Sequence, residues 1–198
     1  MKRWNVGLLP ILLVTACDLD LTDLDFACNY RTEMADWTGV SGADRVRVVA
    51  GAGDLRVVGR VGLSEVRVRG EACAEDRYDL DVIELDLQHL GSTVRVLSLV
   101  PSGRSIGARM DLFVEVPEWM LLEIEHESGD VDVAHVSGVD VFDDSGWIRL
   151  EDIFGDVYVE DGSGDIEAFD ILGDFTVAFD RSGSIRYGNV RGRVSVPR

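Results

Sequence analysis

The sequence predicts an all-β chain. The expected fold is a single-domain β-solenoid, or β-helix, of short strands with about 18 residues per coil and irregular, longer rungs at its N-terminal end. Three observations carry this. The pair Ser-Gly recurs at Ser128-Gly129, Ser145-Gly146, Ser163-Gly164 and Ser182-Gly183, in steps of 17, 18 and 19 residues. A second set of glycines, Gly138, Gly155, Gly173 and Gly192, falls about halfway between them. Between the glycines, apolar and polar residues alternate, as in a strand with one buried face. A repeat of this kind builds a stack in which each unit buries its apolar face against its neighbours.

Met1–Ala16 reads as a targeting segment. Lys2 and Arg3 supply the positive start, and the apolar run Gly7–Val14 is too short to span a bilayer. It ends in Val14-Thr15-Ala16-Cys17, which resembles the lipobox of bacterial lipoproteins, although Val and Thr stand where Leu and Ala or Ser are usual. The resemblance implies cleavage before Cys17 and acylation of that residue, with palmitate-type chains as the membrane anchor. An ordinary signal peptide cut after Ala16 is the alternative. Residues 17–39 follow as the lipidated cysteine and an acidic tether. Cys28 and Cys73 are then an even pair outside the cytoplasm, for which a disulfide is the economical reading.

The β domain is expected over 40–198. Val46-Arg47-Val48, Gly51-Ala52-Gly53 and Leu55-Arg56-Val57 look like one coil. Asp79–Leu87 and Thr93–Val100 alternate around Gly91-Ser92 and read as paired strands. Ser102–Arg109 reads as a loop, and Leu112–Pro117 as a strand stopped by proline. From Val131 onward the inward pairs are Val131/Val133, Val139/Val141, Ile148/Leu150, Val157/Val159, Ile166/Ala168, Phe175/Val177, Ile185/Tyr187 and Val194/Val196. Glycine bounds each strand and turns the chain through positive φ at no steric cost. Val136, Ile153, Ile171 and Val190 pin one corner of the coil. A meander of hairpins with the same strand lengths is the alternative, but it would favour Asn-Gly or Asp-Gly turns and needs no 18-residue superperiod. Register predicts an outward ladder of alternating charge, Asp132, Arg149, Glu167 and Arg186. The last apolar pair has no capping helix after it. Pro197, Arg191, Arg193 and Arg198 are expected to guard that open sheet edge.

Charge narrows the functions. All 37 acids lie after Cys17, against 17 arginines and no lysine, for a net charge of −20 over that stretch. Such a chain repels nucleic acid and anionic headgroups, so nucleic-acid binding is excluded. No Gly-x-Ser-x-Gly and no His-Glu-x-x-His occurs. His89, His126 and His135 are scattered and read as surface residues. No catalytic residue and no cofactor is implied. Trp147, Tyr158 and Phe169 interrupt polar columns and are the binding-face candidates, because wet-face aromatics can stack on sugars or anchor a partner. The competing reading is that they cover gaps in the core. Asp143, Asp161 and Asp180 recur two residues before each serine. They are weak calcium candidates, since one carboxylate per corner cannot supply six oxygens. The plainer expectation is that each accepts from the amides of its own turn.

Phe113–Pro117, then Glu127-Ser128-Gly129-Asp130-Val131-Asp132-Val133, Gly138 and Asp144-Ser145-Gly146 resemble the putative adhesin domain of unknown function found in bacterial envelope proteins, related to the head-GIN type. The resemblance runs over roughly Val40–Arg198 and implies a β-helix with no catalytic residues. The expected function is a non-enzymatic cell-envelope lipoprotein. It is held to a membrane by its lipid, inner or outer undecided, and its solenoid serves as an adhesive or interaction scaffold for a protein or glycan. The alternatives are a β-helix enzyme acting on envelope polysaccharide, or a calcium-binding β-roll.

Overall fold

The computed structural model describes residues 28–100 and 107–197. The expected targeting segment and Cys17 lie outside the described residues. The chain is all-β, in two sheets that do not close into a barrel. The first strands are β1 (Tyr30–Gly39), β2 (Arg45–Ala52), β3 (Leu55–Arg60) and β4 (Glu65–Ala74). A five-residue helix α1 (Arg77–Asp81) precedes β5 (Glu84–Leu90), β6 (Thr93–Leu99), β7 (Arg109–Pro117) and β8 (Leu121–Ser128). The repeat supplies β9 (Val131–Ala134), β10 (Gly138–Asp143), β11 (Ile148–Ile153) and β12 (Val157–Asp161). It continues through β13 (Ile166–Ile171), β14 (Phe175–Asp180), β15 (Ile185–Val190) and β16 (Val194–Ser195).

One sheet runs β1-β4-β7-β3-β9-β11-β13-β15 and the other β16-β14-β12-β10-β8-β2-β6-β5. From β8 on, consecutive strands alternate between the sheets, and each pairs in parallel with the strand two places earlier or later. The β2–β3 pair joins this stack in the same sense, β2 beside β8 and β3 beside β9, as the Val46–Val57 reading expects. Only the N-terminal end breaks the pattern. There β1, β4 and β7 pair antiparallel in one sheet, and β5 with β6 in the other, around Gly91 at φ 66°.

The inward residues form a single apolar cluster between the sheets. Val131, Val133, Val141, Ile148, Leu150, Val159, Ile166, Ala168 and Phe175 are all at most 1% exposed. A fully buried Val, Leu, Ile or Phe side chain contributes about 1.5–3 kcal/mol. The corner residues Val136, Ile153 and Ile171 are fully buried, as expected of pins. At the last rung the pattern stops burying: Tyr187 is 47% exposed, and Ile185, Val190, Val194 and Val196 are half-buried. Their register is right, but no further strand among the described residues covers them.

Three expectations are corrected. The stretch assigned to a tether, 17–39, contains β1, which lies on the edge of the first sheet and is tied to β4 by the Cys28–Cys73 disulfide, with Cα atoms 5.5 Å apart. The alternation of Asp79–Leu87 does not make one strand. Asp76 accepts a hydrogen bond from the Asp79 amide at 2.9 Å and caps α1, so the strand starts only at Glu84. The two glycine sets also differ in role. Gly129, Gly146, Gly164 and Gly183 have φ of 115° to 150°, whereas none of the mid-turn glycines has positive φ. At that corner the left-handed residues are His135, Asp152, Asp170 and Asn189, at φ 54–59°, mostly the types that tolerate it. The mid-turn glycines serve close approach instead: a Cβ on Gly155 would overlap the Ser137 carbonyl oxygen of the turn stacked on it.

Candidate functional site

The outward ladder is present. Arg149 pairs in register with Asp132 on one side and Glu167 on the other, and Glu167 with Arg186. The column continues past Asp132 to Arg56, Phe113 and Arg69. Arg56 lies 3.7 Å from Asp132 and Arg186 lies 3.3 Å from Glu167, while the Arg69 guanidinium sits 5.0 Å from the centre of the Phe113 ring. Arg149 departs from the column and bonds Glu151 along its own strand, at 3.4 Å.

Beside this column runs a second ladder at the Ser-Gly corner. Asp54, Asp130 and Asp165 each follow a turn glycine, Asp111 stands in register beside Asp54, and their carboxylates accept from the backbone amide of the equivalent residue on the neighbouring strand. Asp111 accepts from the Asp54 amide at 3.0 Å, Asp54 from the Asp130 amide at 3.0 Å, and Asp130 from the Trp147 amide at 3.1 Å. Asp165 accepts from the Ser184 amide at 2.9 Å, and that bond, then the Ser184 hydroxyl and Arg186, hold its carboxyl below the usual carboxylate range. Trp147 is the interruption. It occupies a ladder position with no acceptor to offer the next amide, and the residue is 39% exposed.

The exposed Trp147 lines an open groove of about 810 Å³ together with Phe113, Arg56, Arg69, Arg149 and, from the edge strand β1, Met34. Aromatic faces, guanidinium groups and carboxylates line one concavity, the mixture that holds polar ligands with apolar faces. The other two aromatic candidates lie elsewhere. Phe169, on β13, covers Gly188 of the next rung, where an added Cβ would lie 3.0 Å from the ring. Tyr158 belongs to the second sheet, where its ring lies 5.9 Å from that of Phe142 and its hydroxyl donates to Glu160.

A buried polar column was missed. His126, expected at the surface, is buried, because the alternation Leu122, Ile124, His126 along β8 carries it inward. In register beside it stand Asp143, Asp161 and Asp180, the third inward residue of successive strands. His126 Nδ1 lies 2.7 Å from Asp143 Oδ1 and Nε2 lies 2.8 Å from the Gly53 carbonyl. Both partners are acceptors, so both nitrogens donate only when the ring is protonated. Burial alone would lower its pKa. The bond to Asp143, the Gly53 carbonyl and the nearby charges outweigh burial and raise it. Asp161 accepts from its own turn amide, that of Ser163, at 3.1 Å, as expected, whereas Asp143 finds its partner in His126. Burial, with the adjacent Asp143, pushes the Asp161 carboxyl up to about 7. Among the described residues, Asp143 Oδ2, Asp161 Oδ2 and Asp180 Oδ1 have no hydrogen-bond partner. Among the described residues, no three His, Cys, Asp or Glu side chains come together in a way that could hold a metal ion. No helix among them is long and apolar enough to cross a membrane.

No family model and no curated protein matches the chain. Solved structures are similar in part. A putative cell adhesion protein from Clostridium sporogenes is 12% identical, covering 85% of this chain and 100% of its own, with a TM-score of 0.48. A putative adhesin from Bacteroides fragilis is 8% identical over 84% of this chain and 97% of its own, with a TM-score of 0.34. A putative lipid binding protein from Parabacteroides distasonis is 10% identical over 84% and 97%, with a TM-score of 0.28. At these identities and scores the likeness carries no ligand over to this chain.

Proposed function

We propose that this chain is a non-enzymatic cell-envelope lipoprotein, anchored through acylated Cys17, whose β-solenoid serves as an adhesive or interaction scaffold. The observation that carries the reading is Trp147. Four other coils place Asp at the same position, Asp54, Asp111, Asp130 and Asp165. A tryptophan there gives up an inter-rung hydrogen bond and exposes an aromatic face in the groove of about 810 Å³. A scaffold residue that breaks its own ladder and faces solvent fits binding better than stability.

The partner class is a protein or glycan at the cell surface. Arginine and carboxylate groups flank the ring, which suits a sugar face above and hydroxyl groups beside it. The test is retention of the labelled protein on intact bacterial cells and on immobilised envelope polysaccharide, with soluble polysaccharide as competitor. Retention that competitor displaces supports the glycan form, and retention on cells alone supports the protein form. No retention on either overturns the proposal. A polysaccharide-cleaving enzyme would instead release new reducing ends from the same material, which the scaffold reading does not expect.

A further inference from the structure

Charge is distributed unequally between the two ends of the stack, and among the described residues both ends are sheet edges. We infer that copies of this chain associate head to tail, the C-terminal end of one seated on the N-terminal end of the next. The inference is independent of the Trp147 groove.

The chain carries 37 acids against 19 basic residues, yet residues 181–198 hold five arginines and no acid. Arg191 and Arg193 are exposed there and make no ion pair among the described residues. The opposite end is acidic. Residues 76–90 carry five acids and one arginine, and Asp36 stands exposed on β1. In a chain of net charge −18, a wholly basic end has a partner of opposite sign at hand on every other copy.

The backbone agrees with the charge. At the C-terminal end the outermost strands are β15 in one sheet and β16 in the other. At the N-terminal end they are β1 and β5. Each edge presents unpaired amides and carbonyls that another strand can satisfy. Following the pairings through each sheet, β1 runs parallel to β15, and β5 antiparallel to β16. Apolar surface is left half-covered at both ends too, by Ile185, Val190 and the exposed Tyr187 at one and by Leu85 and Leu87 at the other. A lipid headgroup would match the arginines but not the strand edges, and the rest of the molecule would repel an anionic membrane. Like charge blocks pairing of two C-terminal ends, so the permitted contact is heterologous. Such contacts do not close unless the rotation happens to form a ring, and they build open filaments.

The experiment is sedimentation velocity of the purified full-length protein in non-ionic detergent. At roughly 20 mM salt the mean mass should at least double between about 10 μM and 500 μM, and return to the monomer at about 0.5 M salt, where exposed charges are screened. A monomer throughout the low-salt series overturns the inference. Arg191→Glu with Arg193→Glu removes one end, and Asp36→Arg with Glu84→Arg removes the other. Neither double variant should associate alone. An equimolar mixture should associate again, because every contact between the two variants joins ends of opposite sign. Association of either variant alone, or a mixture that stays monomeric with both partners folded by circular dichroism, overturns it. If a variant does not fold, the salt and concentration series of the unmodified protein decides.

Discussion

Asp161→Asn should stabilise the protein at pH 8 and leave it nearly unchanged at about pH 3.5. Asp161 is 1% exposed and stands between Asp143 and Asp180 on neighbouring strands, about 4.8 Å away on each side. Its Oδ2 has no partner, and burial with Asp143 beside it raises the carboxyl to about 7. An unfolded Asp titrates near 3.9. Between those values the folded chain binds a proton that the unfolded chain releases, so stability falls as pH rises through that window and levels off above it. Three units correspond to about 4 kcal/mol as a ceiling. A groove of about 500 Å³ opens beside the column, and water entering it relaxes the penalty. About half the ceiling, roughly 2 kcal/mol, is therefore the expected cost of the charge at pH 8. Asparagine removes that charge, and its amide can donate to the unpartnered Asp143 Oδ2. For a domain of this size the gain is a rise in Tm of roughly 4–8 °C at pH 8. At about pH 3.5 Asp161 is protonated in the folded chain and mostly protonated in the unfolded one, and the change should stay within about 0.5 kcal/mol. Thermal unfolding by circular dichroism at both pH values, at equal ionic strength, reads it. An equal shift at the two pH values, or a loss at pH 8, would refute the reasoning.

Gly164→Ala should cost more than about 3 kcal/mol or prevent folding, since φ is 149° and the new Cβ would overlap the Gly146 carbonyl oxygen. Chemical denaturation measures it, and a loss below about 1 kcal/mol counts against the stacking argument. Cys28→Ser with Cys73→Ser should cost about 4 kcal/mol, for a loop closed over 45 residues, and should expose the β1 amides to hydrogen exchange first. Unchanged β1 protection would show that the bridge does not hold that edge. Mass spectrometry of the N-terminal peptide from native membranes should find Cys17 first and acylated, and an unmodified cysteine or a retained Met1 removes the anchor.

Much of the fold is legible in the sequence because the same alternation repeats from strand to strand. Inward pairs such as Ile148/Leu150 and pins such as Ile153 are found from alternation and spacing alone. Register then yields the Asp132–Arg186 ladder. The 19-residue step from Ser163 to Ser182 also has a physical origin, a register shift where β12 meets β14, so that Glu160 faces Phe179. The N-terminal end is harder to read. There β1 has mostly exposed side chains, and its place depends on pairing with β4, from Gly39 beside Glu65 to Tyr30 beside Ala74, which no local period reports. His126 and the Asp143 column were legible in principle, since period 2 from Leu122 and Val139 points them inward. Their polarity suggested turns and surface instead. The sequence also cannot say that Trp147 replaces a ladder acceptor, because the Asp-to-amide bonds appear only once the coils are stacked.

The most direct test of the account is the binding of Trp147→Ala to the cell-surface material that retains the unmodified protein. The account expects affinity to fall at least about tenfold, as for a central aromatic anchor, with the fold retained by circular dichroism. Undiminished binding by the folded variant would contradict the claim that this groove holds the partner.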